Sequence, residues 1–177
     1  MRAYSGFTLS NCFSLKDPRM ANSSDNNCVF DVFHETIAFR TAPKNTRMIT
    51  NELSDWIENI GAVSGSLTVL CMHTSASITI QENADPTVQD DILDYLNDIA
   101  PENRRYAHSL EGPDDMPAHL KTMLTSASIP IPVKDGYLVL GQWQGVFLME
   151  HRAQCHHRQL HLCFTGLLKN QTLEPLE

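Results

Sequence analysis

Residues 66–73 read Ser-Leu-Thr-Val-Leu-Cys-Met-His. In an extended chain Leu67, Val69, Cys71 and His73 share one face. Three apolar side chains followed by an imidazole is the pattern of a core strand that carries a polar group to a sheet rim. Such a strand needs partners, and the chain supplies them. Ile78 and Ile80 continue extended, and Ser128–Val133 and Tyr137–Leu140 flank Lys134-Asp135-Gly136, where Asp-Gly favours a tight hairpin. Trp143–Glu150 and Arg158–Phe164 follow, the latter with Leu160, Leu162 and Phe164 alternating inward. Cys28–Arg40, rich in Val, Phe, Ile and Thr, opens the set as one strand or a bent pair.

Helical patterns interrupt these strands. Ile49, Leu53, Trp56, Ile57 and Ile60 form one stripe over Thr46–Ile60, with Asn45 or Thr46 as cap and Gly61 as a left-handed stop. Asp85-Pro86 marks the start of a second helix, which carries Val88, Ile92, Leu93, Leu96 and Ile99 inward and ends at Pro101. A short third helix is expected from Pro117 after the Gly112-Pro113 loop, with Leu120, Met123 and Leu124 inward and His119 in its first turn.

The 177 residues suit one domain with a substantial core. Against 13 Lys and Arg stand 21 Asp and Glu, a net charge of −8. An acidic chain without a basic run has no broad face for nucleic acid or anionic membrane, and no apolar run reaches the ~20 residues of a membrane helix. A small anion held by local cations fits better. Five cysteines, an odd number without a Cys-x-x-Cys pair, suit a reducing compartment, and Cys71 and Cys163 sit in alternating segments as small core residues. Cytoplasmic residence follows. Residues 1–27, rich in Ser and Asn, read as a flexible tail, with organellar targeting as the alternative and Met1 or Met20 as the start. Residues 167–177 read as a second tail.

Potential chemistry concentrates in residues 73–121. Of eight histidines, His34, His156, His157 and His161 read as surface or satisfied core residues. His73, His108 and His119 each stand at an element end or in a loop beside hydroxyl or carboxyl groups. A shared three-histidine metal site, with a position left for water or ligand, is one reading; scattered structural roles are the other. Glu82, Asp85, Glu111, Asp114 and Asp115 are candidate orienting or proton-transfer groups. Asp85 reads best as a helix cap, and Glu111, three residues past His108, as the best functional candidate. Lys121 is either solvated or aimed at an anion. Trp143 reads as core, while burying the flanking Gln142 and Gln144 unpaired is costly.

Three runs, HTSASITIQENADP (73–86), EGPDDMPAHLK (111–121) and LGQWQGVFLMEHR (140–152), strongly resemble the YjbQ family over residues 29–166. Ser75, Gln81 and Gln142 depart from the family's usual Thr, Asn and Thr. The resemblance implies a single α+β domain over 28–166, with a β-sandwich-like mixed or antiparallel core flanked by helices, assembled as a homotrimer. It implies a pocket with His73, His108 and His119 as metal ligands and a secondary thiamine-phosphate synthase activity. That transferase reaction joins hydroxymethylpyrimidine pyrophosphate to a thiazole phosphate. His73 and Glu111 are then the catalytic candidates, and Thr74, Asn83, Asp114, Lys121, Gln144 and Glu150, within the motifs, are candidate substrate contacts. Three imidazoles suit zinc better than magnesium. Two alternatives stay open: a zinc-dependent hydrolase of a small phosphorylated metabolite, and a non-catalytic trimer binding a small anion or metal.

Overall fold

A computed structural model describes residues 28–170, so the readings of residues 1–27 and 171–177 fall outside the described residues. Eight strands and three helices follow in the order β1 (Cys28–Arg40), β2 (Asn45–Met48), α1 (Thr50–Asn59), β3 (Ala62–Cys71), β4 (Ala76–Glu82), α2 (Thr87–Ile99), α3 (Asp115–Leu124), β5 (Ser128–Lys134), β6 (Tyr137–Leu138), β7 (Gln144–Glu150) and β8 (His157–Lys169). They form an antiparallel five-stranded sheet, β1-β8-β3-β5-β6, and an antiparallel three-stranded sheet, β2-β7-β4. The expected α+β class with a two-sheet core is the architecture found.

Alternation decides which side of the large sheet is the core. Leu67, Val69 and Cys71 of β3 and Leu160, Leu162 and Phe164 of β8 point inward and are buried. Ile131 and Val133 of β5 join them, as do Ile78, Val146 and Leu148 from the small sheet and Leu53, Trp56 and Ile57 from α1. β7 is buried along nearly its whole length because both its faces are covered. Val146 and Leu148 meet this core, while Met149 lines a cavity of about 320 Å³ with Val88, Ile92 and Leu96 of α2.

Two glycine features fix the frame. Asp135 and Gly136 have φ of 54° and 83°, the double left-handed turn expected of the β5–β6 hairpin. Gly65 of β3 stands opposite Gly166 of β8, and a Cβ on Gly166 would come within 2.3 Å of the Ser64 carbonyl oxygen. The strands approach this closely only because both side chains are missing.

Four expectations need correction. The first helical stripe starts later: residues 45–48 pair with β7, and α1 begins after Ile49 without a side-chain cap from Asn45 or Thr46. α3 begins at Asp115, two residues before Pro117, because proline is tolerated within a first turn. His119 therefore sits in the second turn, and Met123 and Leu124 are exposed. Trp143 is 61% exposed: it lies in a turn closed by Gln144 N–H on the Gly141 carbonyl, not on an inward strand position. The C-terminal tail starts later than residue 167, since β8 runs to Lys169 and buries Leu168. Asp85 lies one residue outside the Pro86 N-cap of α2, and its Oδ1 accepts the Thr87 N–H at 2.9 Å.

Candidate metal centre

Asp115 opens α3, and His119, four residues on, lies on the same helical face. His108 reaches in from the loop between α2 and α3. Asp115 Oδ2 stands 2.7 Å from His108 Nε2 and 3.2 Å from His119 Nε2. One ligand atom from each of the three residues lies within 4.8 Å of the others. Two imidazoles and a carboxylate converging in this way form a usual donor set for a transition metal, with open positions left for water or ligand.

The surrounding bonds orient these groups. His119 Nδ1 lies 2.9 Å from the Thr74 carbonyl oxygen. A carbonyl only accepts, so His119 carries its proton on Nδ1 and turns Nε2 toward Asp115. Arg152 holds the acidic pair. Its Nη1 donates to Asp115 Oδ1, its Nε to Asp114 Oδ2 at 2.9 Å, and its Nη2 to the Glu111 carbonyl at 2.8 Å. Burial raises the Asp114 carboxyl pKa, but the Ala153 N–H and Arg152 outweigh it and hold the group below the usual range. Asp115 is 1% exposed, and Oδ2 is the oxygen it presents to the histidines.

A second buried network braces the centre from behind. Glu150 is fully buried and accepts bonds from Arg158 Nε at 2.7 Å, Thr41 Oγ1 at 2.6 Å and the Arg152 N–H at 3.0 Å. Burial opposes its charge, and these donors still hold its pKa below the carboxylate norm. Arg158 in turn reaches the Ser75 carbonyl at 3.3 Å, next to Thr74. Sequence reasoning missed Arg152, Arg158 and the buried His151, whose Nε2 lies 2.8 Å from Ser77 Oγ. The Asp115–His119 spacing was the available signal for Asp115 as a ligand.

The sequence candidates therefore divide. His108 and His119 come together with Asp115, and Asp114 stands beside them. His73 is outside this cluster: its Nε2 accepts the Gln159 N–H at 2.8 Å, and burial lowers its pKa. Thr74 contributes its carbonyl. Glu111 is exposed at the loop. Lys121 is turned inward, 3% exposed, with Nζ 2.6 Å from Asn97 Oδ1, so it is neither solvated nor aimed at an outside anion. Glu150 has no exposed surface for a substrate and acts through Arg152 and Arg158. Asn83 and Gln144 meet each other, Asn83 Nδ2 donating to the Gln144 carbonyl at 3.2 Å. They sit at the end of β4 remote from Thr74, about 20 Å along the strand at ~3.3 Å per residue.

Near His108 a cavity of about 320 Å³ is lined by Arg104, Arg105, Tyr106 and Ser109. A larger one, about 840 Å³, lies between β1 and α1 around Phe33 and Trp56. The smaller cavity bears on the centre because His108 lines it, together with two arginines and Glu102. No helix among the described residues is long and apolar enough to cross a membrane.

A family model described as UPF0047 protein YjbQ-like matches residues 35–167. A UPF0047 protein of Synechocystis is 42% identical over 77% of this chain and 94% of its own length. The UPF0047 protein YjbQ of Salmonella typhimurium is 41% identical over 68% and 88%. Among solved structures, a YbjQ-like protein of unknown function from Sulfolobus solfataricus superposes with a TM-score of 0.72, at 26% identity, over 78% of this chain and 99% of that one. A YjbQ/UPF0047 protein from Clostridium acetobutylicum gives 0.68 at 34% identity, over 73% and 98%.

Proposed function

The chain belongs to the YjbQ family, and from that premise we propose that His108, Asp115 and His119 bind a divalent ion, zinc in preference to magnesium, that acts on a small phosphorylated metabolite. The observation that carries this is the single oxygen of Asp115 facing two imidazole nitrogens, one of which has its proton directed elsewhere. His119 Nε2 and Asp115 Oδ2 both present lone pairs across 3.2 Å, so a cation between them relieves the contact. Nitrogen-rich ligation favours zinc, since magnesium prefers oxygen and water.

When bound, such an ion supplies Lewis-acid stabilisation to a phosphoryl oxygen. The chain's own residues do the rest. Arg104 and Arg105 flank His108 and offer counter-charge to a phosphate. Arg152 keeps Asp115 aimed, and Glu111, exposed three residues past His108, is the proton-transfer candidate. The same cations favour a thiamine-phosphate synthase-like transfer as the second reading, because a departing pyrophosphate requires charge neutralisation. A zinc-dependent hydrolase uses the same groups on water instead. The proposed working form is a cytoplasmic homotrimer, for which light scattering should return three times the chain mass and a stable monomer counts against it.

Turnover of a panel of phosphorylated metabolites by zinc-loaded protein, compared with Glu111→Gln, is the functional test. Loss of turnover in the variant supports an enzyme. Tight binding without turnover by wild type moves the protein to the non-catalytic metal- or anion-binding class.

A further inference from the structure

A second cluster lies on the face of the five-stranded sheet opposite the core. In the antiparallel register of β1 and β8, His34 stands opposite Cys163 and Thr36 opposite His161. The sequence reading made the histidines ordinary and Cys163 a core residue. Cys163 is instead half-buried on the outward face, because Leu162 and Phe164 take the inward positions.

The four side chains form one line. Cys163 Sγ lies 3.9 Å from His34 Nε2, His34 Nδ1 lies 3.2 Å from His161 Nε2, and His161 Nδ1 lies 3.0 Å from Thr36 Oγ1. The rings are inclined by only 27° with centroids 5.3 Å apart, so they meet nitrogen to nitrogen. We propose that Cys163, His34 and His161 form a thiol–imidazole relay that makes Cys163 a site of thiol–disulfide exchange with small disulfides.

One set of tautomers serves the whole line. For His34 Nε2 to accept the thiol proton, His34 must carry hydrogen on Nδ1, which then donates to His161 Nε2. His161 accordingly carries hydrogen on Nδ1 and donates to the Thr36 oxygen. Nucleophile, base and orienting group thus stand in the order that activates a weak nucleophile. Only the thiolate attacks a disulfide. The thiol proton passes to His34 Nε2, and sulfur attacks one sulfur of the disulfide. A new S–S bond forms, the old one breaks, and the departing thiolate takes the proton back from His34. No separate oxidant is needed.

The surroundings admit such a partner. Thr165 Oγ1 lies 3.9 Å from the same sulfur and can donate to a thiolate. Among the described residues the neighbouring outward positions are Val32, Thr36, Ser66, Thr68 and Leu70, none of which carries a charge to repel an anionic disulfide. The other thiols among the described residues differ. Cys28 and Cys155 are exposed. Cys71 is buried, its thiol pKa pushed up to about 11 by desolvation, and it is inert while the protein stays folded.

The test exposes the full chain to glutathione disulfide at pH 7 and follows each cysteine by peptide mass mapping. Cys163 should form its mixed disulfide about 100 times faster than the more exposed Cys28 and Cys155, the low end of general-base assistance. His34→Gln should remove that advantage. His161→Leu should remove much of it, and His161→Gln, whose amide oxygen can accept the His34 N–H, should restore part. Unlabelled Cys71 in each variant reports an intact fold; a variant that labels Cys71 is replaced by His34→Asn. Cys163 reacting no faster than Cys28 and Cys155 in wild type overturns the proposal, as does an unchanged Cys163 rate in a folded His34 variant.

Discussion

His119 gives its Nδ1 proton to the carbonyl oxygen of Thr74, 2.9 Å away, and this one bond decides which nitrogen faces Asp115. The bond joins α3 to the β3–β4 connection, so helix position and ligand tautomer are set together. Arg152 performs the matching task for the carboxylates, with Asp114 and Asp115 both in its grip.

Arg152→Ala should therefore weaken the proposed metal centre without deleting a proposed ligand. Loss of such an orienting group lowers metal affinity by about 10- to 100-fold. Equilibrium dialysis against zinc measures it. Arg152→Lys should recover little, because an ammonium cannot hold two carboxylates in the planar, forked manner of a guanidinium.

Arg158→Met should be severe for stability. It leaves Glu150, fully buried, without its main cation, and breaking a buried pair from one side costs about 3–5 kcal/mol. The double variant Glu150→Leu with Arg158→Met should regain part of the loss in a denaturant titration. Equal instability of the single and double variants would show that apolar packing cannot replace the pair.

Legibility in the sequence followed period. Strands β3 and β8 and the Asp135-Gly136 hairpin were readable because alternation and turn chemistry are local. β2 was not, since residues 45–49 fit either a strand or the start of the α1 stripe, and only pairing with β7 decides. At the site, His108 and His119 stood out as polar groups expected in a loop and near a helix start, although His119 lies in the second turn of α3. That Asp115, not His73, converges with His108 and His119 depends on where α3 begins and on the Gln159 N–H occupying His73 Nε2. Both are tertiary facts. Asn83 and Gln144 carry motif residues, yet strand length places them far from Thr74 within one chain.

Gly166→Ala tests the close crossing of β3 and β8. Its Cβ would meet backbone at 2.3 Å from Ser64 and 2.6 Å from Gly65, which no side-chain rotation relieves. Overpacking of this kind costs about 1–3 kcal/mol, a fall in Tm of roughly 2–12 °C for a chain of this size. Gly141→Ala is the control, because only the flexible Gln144 side chain lies in the way, at 3.2 Å.

His151 gives the fold a pH dependence of definite sign. Burial, reinforced by the Lys121 charge, lowers its pKa from 6.5 to about 4. The unfolded chain takes up the proton first as pH falls. Stability is thus complete above about pH 6.5 and declines toward pH 4, by ~3 kcal/mol over the full window. His73, also lowered, adds in the same direction. Urea titrations at pH 7 and 5 should show the loss, and His151→Gln should flatten it.

Zinc binding per chain tests the central claim most directly. Purified full-length protein dialysed against zinc should hold near one equivalent, measured by elemental analysis. His119→Ala, His108→Ala and Asp115→Asn should each reduce affinity at least ~10-fold, since three ligands are the usual protein minimum for such a site. His157→Ala should leave binding unchanged, and His73→Ala should leave it within a few-fold. Wild-type protein that takes up no zinc, or His119→Ala that keeps full occupancy at the wild-type affinity, contradicts the account.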